Sequence, residues 1–137
     1  MLSSDNDIAQ TPIQIQSWLA RVGIKPISPI VDVTNYLMAL TGQPLHAFDY
    51  DKFASLNKGK AEIVVRAGKK GEKLKLLDSR TADLTQQDII ISSGDVPVAL
   101  AGAMGGSSTA IDENTKNILL ESASFNLYNL RGTQMRH

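Results

Sequence analysis

The spacing of apolar residues changes once along the chain, and this change limits the folds that the chain can adopt. In the first 42 residues apolar side chains recur every three to four positions, as on one face of a helix. Between residues 62 and 123 they form short runs bounded by turn residues, which is typical of β-strands. Helices and strands in separate parts of a sequence predict an α+β fold and not a doubly wound α/β fold.

Two N-terminal helices are predicted from this spacing and from their end signals. Thr11 is the expected N-cap of the first helix, Pro12 its first residue and Gly23 its end. Its apolar face comprises Ile15, Trp18, Leu19 and Val22. The second helix is expected to start near Ser28–Pro29 and to end at Gly42. Its expected inner face comprises Ile30, Val33, Tyr36, Leu37 and Leu40.

The later apolar segments predict a core of about five or more short strands, in a largely antiparallel or mixed sheet. The predicted strands are 62–67, 74–77, 88–92, 96–101 and 116–123. A C-terminal helix follows, capped by Asn126. It has no stop signal, which suggests a chain cut inside a longer protein. We therefore expect a polar leader at residues 1–10 and one domain at residues 11–137.

The composition argues against several kinds of protein. Fourteen Lys and Arg balance fourteen Asp and Glu, so strong nonspecific binding to nucleic acid is not expected. The absence of Cys excludes disulfides, thiolate ligands and a cysteine nucleophile, and two His argue against a multi-histidine zinc site. No apolar run approaches the roughly 18 residues that span a membrane, and the leader does not resemble a secretory signal. We expect a cytoplasmic protein with no membrane partner.

One stretch departs from this charge balance. Residues 58–75 contain seven basic side chains and two Glu. Charge runs of this kind usually form a solvated surface, here a hairpin. The alternative is a contact with a phosphate backbone, and both interpretations stay open.

Common nucleotide-binding and hydrolase motifs are absent from the chain, and three other features remain as candidates for chemistry. The first is the segment 43–49, which contains His46 in a predicted loop. A lone His can be a catalytic group or a hydrogen-bonded structural residue. Asp49 and Asp51 nearby are a weak metal pattern, and Asp51 is the expected cap of a short turn at residues 52–56.

The second and third features lie further along the chain. Gly102, Gly105 and Gly106 follow a predicted strand, where small residues let a ligand approach the backbone or let the chain turn a tight corner. Glu121 follows three aliphatic residues. A carboxylate in a buried strand is costly without a partner, so Glu121 either binds a ligand, pairs internally or reaches solvent.

Several of these segments together resemble one family. The motifs GIKPI, VDVTNY, GQPLHAFD, ALAGAMGG and LLESA occur in this order between about Pro12 and Arg136. They are similar to the B3/B4 domain of the bacterial phenylalanyl-tRNA synthetase β subunit. The resemblance implies a mixed β-barrel core with flanking helices.

The resemblance also implies an activity. In that family the domain edits: it hydrolyses tyrosine wrongly attached to the phenylalanine tRNA and so supports correct aminoacylation in translation. It implies catalytic roles for His46 and Glu121, and a substrate-binding role for Gly102, Gly105, Gly106 and Glu121. It implies that the domain needs no metal or cofactor. ATP and Mg²⁺ act in the α subunit of an α2β2 enzyme, and the misacylated 3′ end of the tRNA is the partner here.

Three interpretations follow for this chain. In the first, it is a fragment of a phenylalanine-tRNA ligase β subunit that hydrolyses tyrosyl esters. In the second, it is a module of the same enzyme that only recognises tRNA or docks subunits. In the third, it is a separate domain of unknown substrate. The family's pocket also uses a motif beyond residue 137, so the resemblance implies a pocket truncated at its C-terminal side.

Overall fold

The computed structural model describes residues 10–137, and the predicted leader lies almost entirely outside the described residues. The described part contains four α-helices and one short 3-10 helix at Ser107–Thr109. The helices are α1 (Ile13–Arg21), α2 (Pro29–Thr41), α3 (Tyr50–Ser55) and α4 (Leu127–Arg136). None of them is long and apolar enough to cross a membrane.

Eight strands form three open antiparallel sheets. The strands are β1 (Leu45–Asp49), β2 (Ile63–Ala67), β3 (Lys73–Lys75), β4 (Thr81–Asp83), β5 (Ile89–Ser93), β6 (Val96–Leu100), β7 (Met104–Gly105) and β8 (Ile118–Ser122). One sheet has the order β2-β5-β6-β7, and the other two are the pairs β1-β8 and β3-β4. The α+β prediction is confirmed. The expected barrel is not closed, because β3, β4 and β7 are only two or three residues long and the β1-β8 pair is a separate sheet.

The core lies on both sides of the four-stranded sheet. Consecutive residues of β5 and β6 are buried, which indicates cover on both faces. One cluster comprises Phe48, Phe53, Ile91, Val98, Ala99 and Ala101. The other comprises Leu74, Leu76, Ala82, Leu84, Ile90 and Leu100.

The two N-terminal helices exist as predicted, but their details differ. Thr11 makes no capping bond and donates its hydroxyl to Asp32 at 2.6 Å. Asp32 is buried and also accepts the backbone N–H of Ile27 at 2.7 Å. The predicted inner face of α2 is only partly right: Ile30 and Tyr36 are half-buried, but Val33, Leu37 and Leu40 are exposed. The helix instead buries its Asp32 side, where Asp32 and Thr34 lie.

The five predicted strands are confirmed as β2, β3, β5, β6 and β8, with ends shifted by up to two residues. The predicted cap of α4 is also confirmed, since Asn126 accepts the backbone N–H of Tyr128 and Asn129. The predicted loop around His46 is instead strand β1. The predicted cap of α3 is wrong: Asp49, and not Asp51, accepts the backbone N–H of Lys52 at 2.9 Å.

Candidate functional site

The pairing of β1 with β8 places two of the candidate residues opposite each other. In this antiparallel register His46 is the partner of Glu121. Directly opposite residues on one face of a strand pair have neighbouring side chains. Along β8, Leu119 and Glu121 are half-buried while Ile118 and Leu120 are exposed, so Glu121 lies on the inner face. The sequence suggests that Glu121 lies in a buried strand, but in the structure only one face of β8 is half-buried.

Both side chains line a cavity of about 460 Å³. This volume lies within the range of small-molecule sites, about 300–1,000 Å³. Its walls come from α2, the β1-β8 pair, the segment 99–105 and α4. The lining residues that matter for its chemistry are His46, Gly102, Gly105, Glu121, Ser124 and Gln134.

Two of the three glycines reach the cavity. At Gly105 a Cβ atom would lie 2.7 Å from Cε1 and from Nε2 of His46, so the imidazole packs directly on the glycine. Gly102 has a φ of +64°, and a Cβ there would lie 2.8 Å from a methyl of Leu130. Gly106 is not part of the lining. A Cβ at Gly106 would lie 2.5 Å from the carbonyl oxygen of Val98, so its smallness serves strand packing.

Burial shifts the pKa values of the two titratable side chains of the cavity in opposite directions. It lowers the pKa of His46 and raises the pKa of Glu121, so both neutral forms are favoured. Neither side chain has a hydrogen-bond partner within residues 10–137. The ring of His46 packs edge-on against Phe48, with ring centroids 4.5 Å apart. The polar atoms of both residues are therefore available to a ligand.

Sequence reasoning missed the contribution of α4 to the cavity. Gln134 donates its side-chain N–H to the carbonyl oxygen of Gly102 at 3.1 Å, and Leu130 packs against Gly102. Gln43 donates to the carbonyl oxygen of Ala123 at 3.2 Å and ties the start of β1 to the end of β8. The capping signal at Asn126 predicted the helix, but no local signal showed where it would pack.

The Asp49 and Asp51 pair serves the local structure. Asp49 is buried and caps α3, and it also accepts the hydroxyl of Thr115 at 2.7 Å. Asp51 accepts from the side-chain amide of Asn117 at 3.3 Å. Among the described residues, no three potential ligands are grouped so that they could hold a metal ion.

The basic stretch 58–75 is partly neutralised by ion pairs. Arg66 pairs with Glu72 at 2.6 Å, and Lys69 and Lys73 pair with Asp95 and Asp83, each at 3.1 Å. The stretch is not a hairpin, because β2 pairs with β5 and β3 pairs with β4. Its remaining basic side chains, which have no ion-pair partner in the described part of the chain, are Lys58, Lys60, Lys70 and Lys75.

Comparison with known proteins identifies the family. The family model described as "B3/4 domain" matches residues 1–137. The chain belongs to the B3/4 domain family. The domain is 46% identical over 94% of its length to the phenylalanine–tRNA ligase β subunit of Streptococcus pyogenes serotype M1. It is 47% identical over 95% and 94% of its length to the subunits of the same name from Latilactobacillus sakei and Streptococcus mutans.

This B3/4 domain spans 16% of the length of these relatives. The match to the B3/4 family model confirms the resemblance expected from the motifs. These relatives are named as β subunits of phenylalanine–tRNA ligase.

Proposed function

We propose that the cavity of this B3/4 domain is an editing site that hydrolyses the ester bond between tyrosine and the phenylalanine tRNA. The observation that supports this most is the meeting of His46 and Glu121 across β1 and β8 in one cavity. Neither polar group has a protein partner in the described residues, and the imidazole of His46 packs directly on Gly105.

The carboxylate of Glu121 is proposed to accept a hydrogen bond from the phenol hydroxyl of tyrosine. An apolar pocket rejects an added hydroxyl by only about 10²-fold, whereas a site built to bond that hydroxyl discriminates by about 10⁴- to 10⁵-fold. Phenylalanine would leave the half-buried Glu121 desolvated and without a partner, which is unfavourable. The raised pKa of Glu121 shows that this desolvation already acts on the carboxyl group.

Water is proposed as the nucleophile. It would attack the ester carbonyl carbon, the bond to the ribose oxygen would break, and the tRNA hydroxyl and free tyrosine would leave. His46 would orient the water or the terminal ribose, and its lowered pKa keeps the imidazole neutral and able to accept a hydrogen bond. Ser124 also lines the cavity, but it makes no hydrogen bond with His46, so an activated serine is not supported.

The larger assembly is part of the proposal. The relatives are named β subunits, and we propose that the domain works within an enzyme of two α and two β subunits. ATP and Mg²⁺ would act at the aminoacylation site of the α subunit and not in this cavity. The tRNA would deliver its misacylated 3′ end to His46 and Glu121.

A non-catalytic tRNA-recognition module is the second candidate. The observation in its favour is the set of four lysines without ion pairs in the basic stretch. Such a surface would bind phosphates with an affinity that falls steeply with salt.

A deacylation assay separates the two candidates. Tyr-tRNA and Phe-tRNA carrying the phenylalanine anticodon are incubated with this chain and with a β subunit that contains it, assembled with its α subunit. We expect the assembled enzyme to hydrolyse the tyrosyl ester at least about 10-fold faster than the phenylalanyl ester, because one strong hydrogen bond to the phenol hydroxyl lowers the barrier by about that factor. Tyrosyl-ester decay at the uncatalysed rate, together with salt-sensitive tRNA binding, would support the recognition module instead.

A further inference from the structure

We infer that Gly105 is a positioning residue whose missing side chain sets the place of the His46 imidazole in the cavity. The inference rests on the proposed function and assigns to Gly105 a role different from contact with the substrate. The space that a Cβ atom would occupy at Gly105 is already filled by Cε1 and Nε2 of His46, each 2.7 Å from that position. Real Cβ atoms do not approach other heavy atoms this closely.

The backbone of Gly105 has little freedom to retreat from His46. Gly105 belongs to β7 and is the partner of Ala99 in β6. Its carbonyl oxygen also accepts the backbone N–H of Leu77 at 3.1 Å. On the same side, a methyl of Leu77 would lie 3.1 Å from an added Cβ. An added methyl group therefore displaces the imidazole edge that carries Nε2.

Conformational strain does not explain the glycine at this position. Gly105 is not among the glycines with positive φ, unlike Gly102 with a φ of +64°. A backbone with negative φ accepts alanine without strain. The nearest atoms that a side chain at residue 105 would meet belong to His46 and Leu77.

A double-mutant cycle tests whether Gly105 acts through His46. We expect Gly105→Ala to lower kcat for tyrosyl-ester hydrolysis by about 10- to 100-fold, as expected for a misplaced group, and to change KM by less than about threefold. In the His46→Ala background we expect Gly105→Ala to have no further effect. Additive losses in the double variant would overturn the inference, because Gly105 would then act on the substrate directly.

A measurement without hydrolysis keeps this test separate from the proposed function. The imidazole resonances are followed by NMR over a pH titration, and His46→Gln identifies the His46 signal among the two histidines. We expect Gly105→Ala to shift the resonance and the titration midpoint of His46, and to leave the resonance of His137 at pH 7.5 unchanged. An unchanged His46 signal in a folded variant would overturn the inference, whether or not the wild-type domain hydrolyses esters.

Loss of folding in Gly105→Ala is also informative. If the main clash is with the imidazole, His46→Ala removes it and leaves only the 3.1 Å contact with the flexible Leu77 methyl, so Gly105→Ala should lower the urea midpoint much less in the His46→Ala background than in the wild type. If Gly105→Ala lowers the midpoint equally in both backgrounds, the added methyl clashes elsewhere and the inference is wrong.

Discussion

At the scale of single residues, burial moves the pKa of His46 and that of Glu121 in opposite directions. The lowered pKa of His46 keeps an unprotonated nitrogen available near neutral pH. The raised pKa of Glu121 makes its charge costly until a donor such as a phenol approaches. Both shifts have the same cause, the removal of water from a half-enclosed cavity.

The lowered pKa of His46 makes stability depend on pH. The folded pKa lies below the unfolded value of about 6.5, so the neutral imidazole favours folding above that value. This contribution is lost as the pH falls through the folded pKa. We therefore expect the free energy of unfolding of the wild-type domain to decrease between pH 7.5 and pH 5 more than that of His46→Gln.

Urea unfolding at several pH values measures this difference. Subtracting the His46→Gln curve from the wild-type curve removes the contributions of the other titrating groups. Two parallel curves would show that folding does not perturb His46, and the account of a water-poor cavity would then fail.

The sequence indicates which residues could carry chemistry, but it does not show that His46 and Glu121 lie opposite each other. His46 and Glu121 could be singled out one by one, as the lone internal imidazole and as a carboxylate after three aliphatic residues. Their meeting depends on the register of two strands separated by 75 positions along the chain, from residue 46 to residue 121. The three glycines looked alike in sequence, and only the structure separates Gly106, which packs against Val98, from Gly102 and Gly105.

At the scale of secondary structure, the last helix is held in place by one buried carboxylate. Asp88 is 1% exposed and precedes β5. It accepts hydrogen bonds from the hydroxyl of Thr133 and the guanidinium of Arg136 in α4, and from the backbone N–H of Thr85. Burial alone would raise the pKa of Asp88, but the hydrogen bonds from Arg136, Thr85 and His137 lower it well below its usual range.

Loss of this charge should loosen α4. Because Asp88→Asn removes the buried charge that faces Arg136 and leaves its guanidinium only neutral acceptors such as Gln87, we expect a loss on the order of 2 kcal/mol in the free energy of unfolding at pH 7. The matched control is Asp78→Asn, which breaks the exposed pair with Arg80 and should change stability little. Equal urea midpoints for Asp88→Asn and Asp78→Asn would show that the buried carboxylate does not hold α4.

The hydrophobic period predicts which segments are helices and which are strands, but it does not predict several helix ends or the buried face of α2. The strands with apolar, β-branched runs were predictable, as was α4 from its cap. The sequence does not predict strand β1, because its pairing partner β8 is distant along the chain, and β4 and β7 are too short to show a hydrophobic period. The buried face of α2 was misassigned because hydrophobic period cannot anticipate a buried Asp32 that is satisfied by Thr11 and Ile27.

At the scale of the whole molecule, the cavity is built from elements that lie far apart in the chain. Met38 comes from α2, His46 from β1, Gly105 from β7, Glu121 from β8 and Gln134 from α4. These positions extend from residue 38 to residue 134. A site assembled in this way needs α2, the β1-β8 pair, the β6-β7 part of the four-stranded sheet and α4 to be in place together, so tests of its chemistry need a matched measurement of folding.

We propose that Glu121 recognises the tyrosine hydroxyl, and the ratio of two deacylation rates tests this role. The ratio compares deacylation rates of tyrosyl and phenylalanyl esters of the phenylalanine tRNA, in wild type, Glu121→Ala and the control Ser122→Ala. Ser122 is the next residue of β8, is exposed and does not line the cavity. The three proteins are compared in the assembled enzyme, with aminoacylation as the check on folding.

We expect Glu121→Ala to lose at least about 10-fold in tyrosyl-ester hydrolysis, equivalent to about one strong hydrogen bond to a charged group, and to lower the ratio accordingly. Ser122→Ala should keep the wild-type ratio, and both variants should aminoacylate normally. A Glu121→Ala enzyme that still distinguishes the two esters as well as wild type would contradict the claim that Glu121 is the hydroxyl receptor.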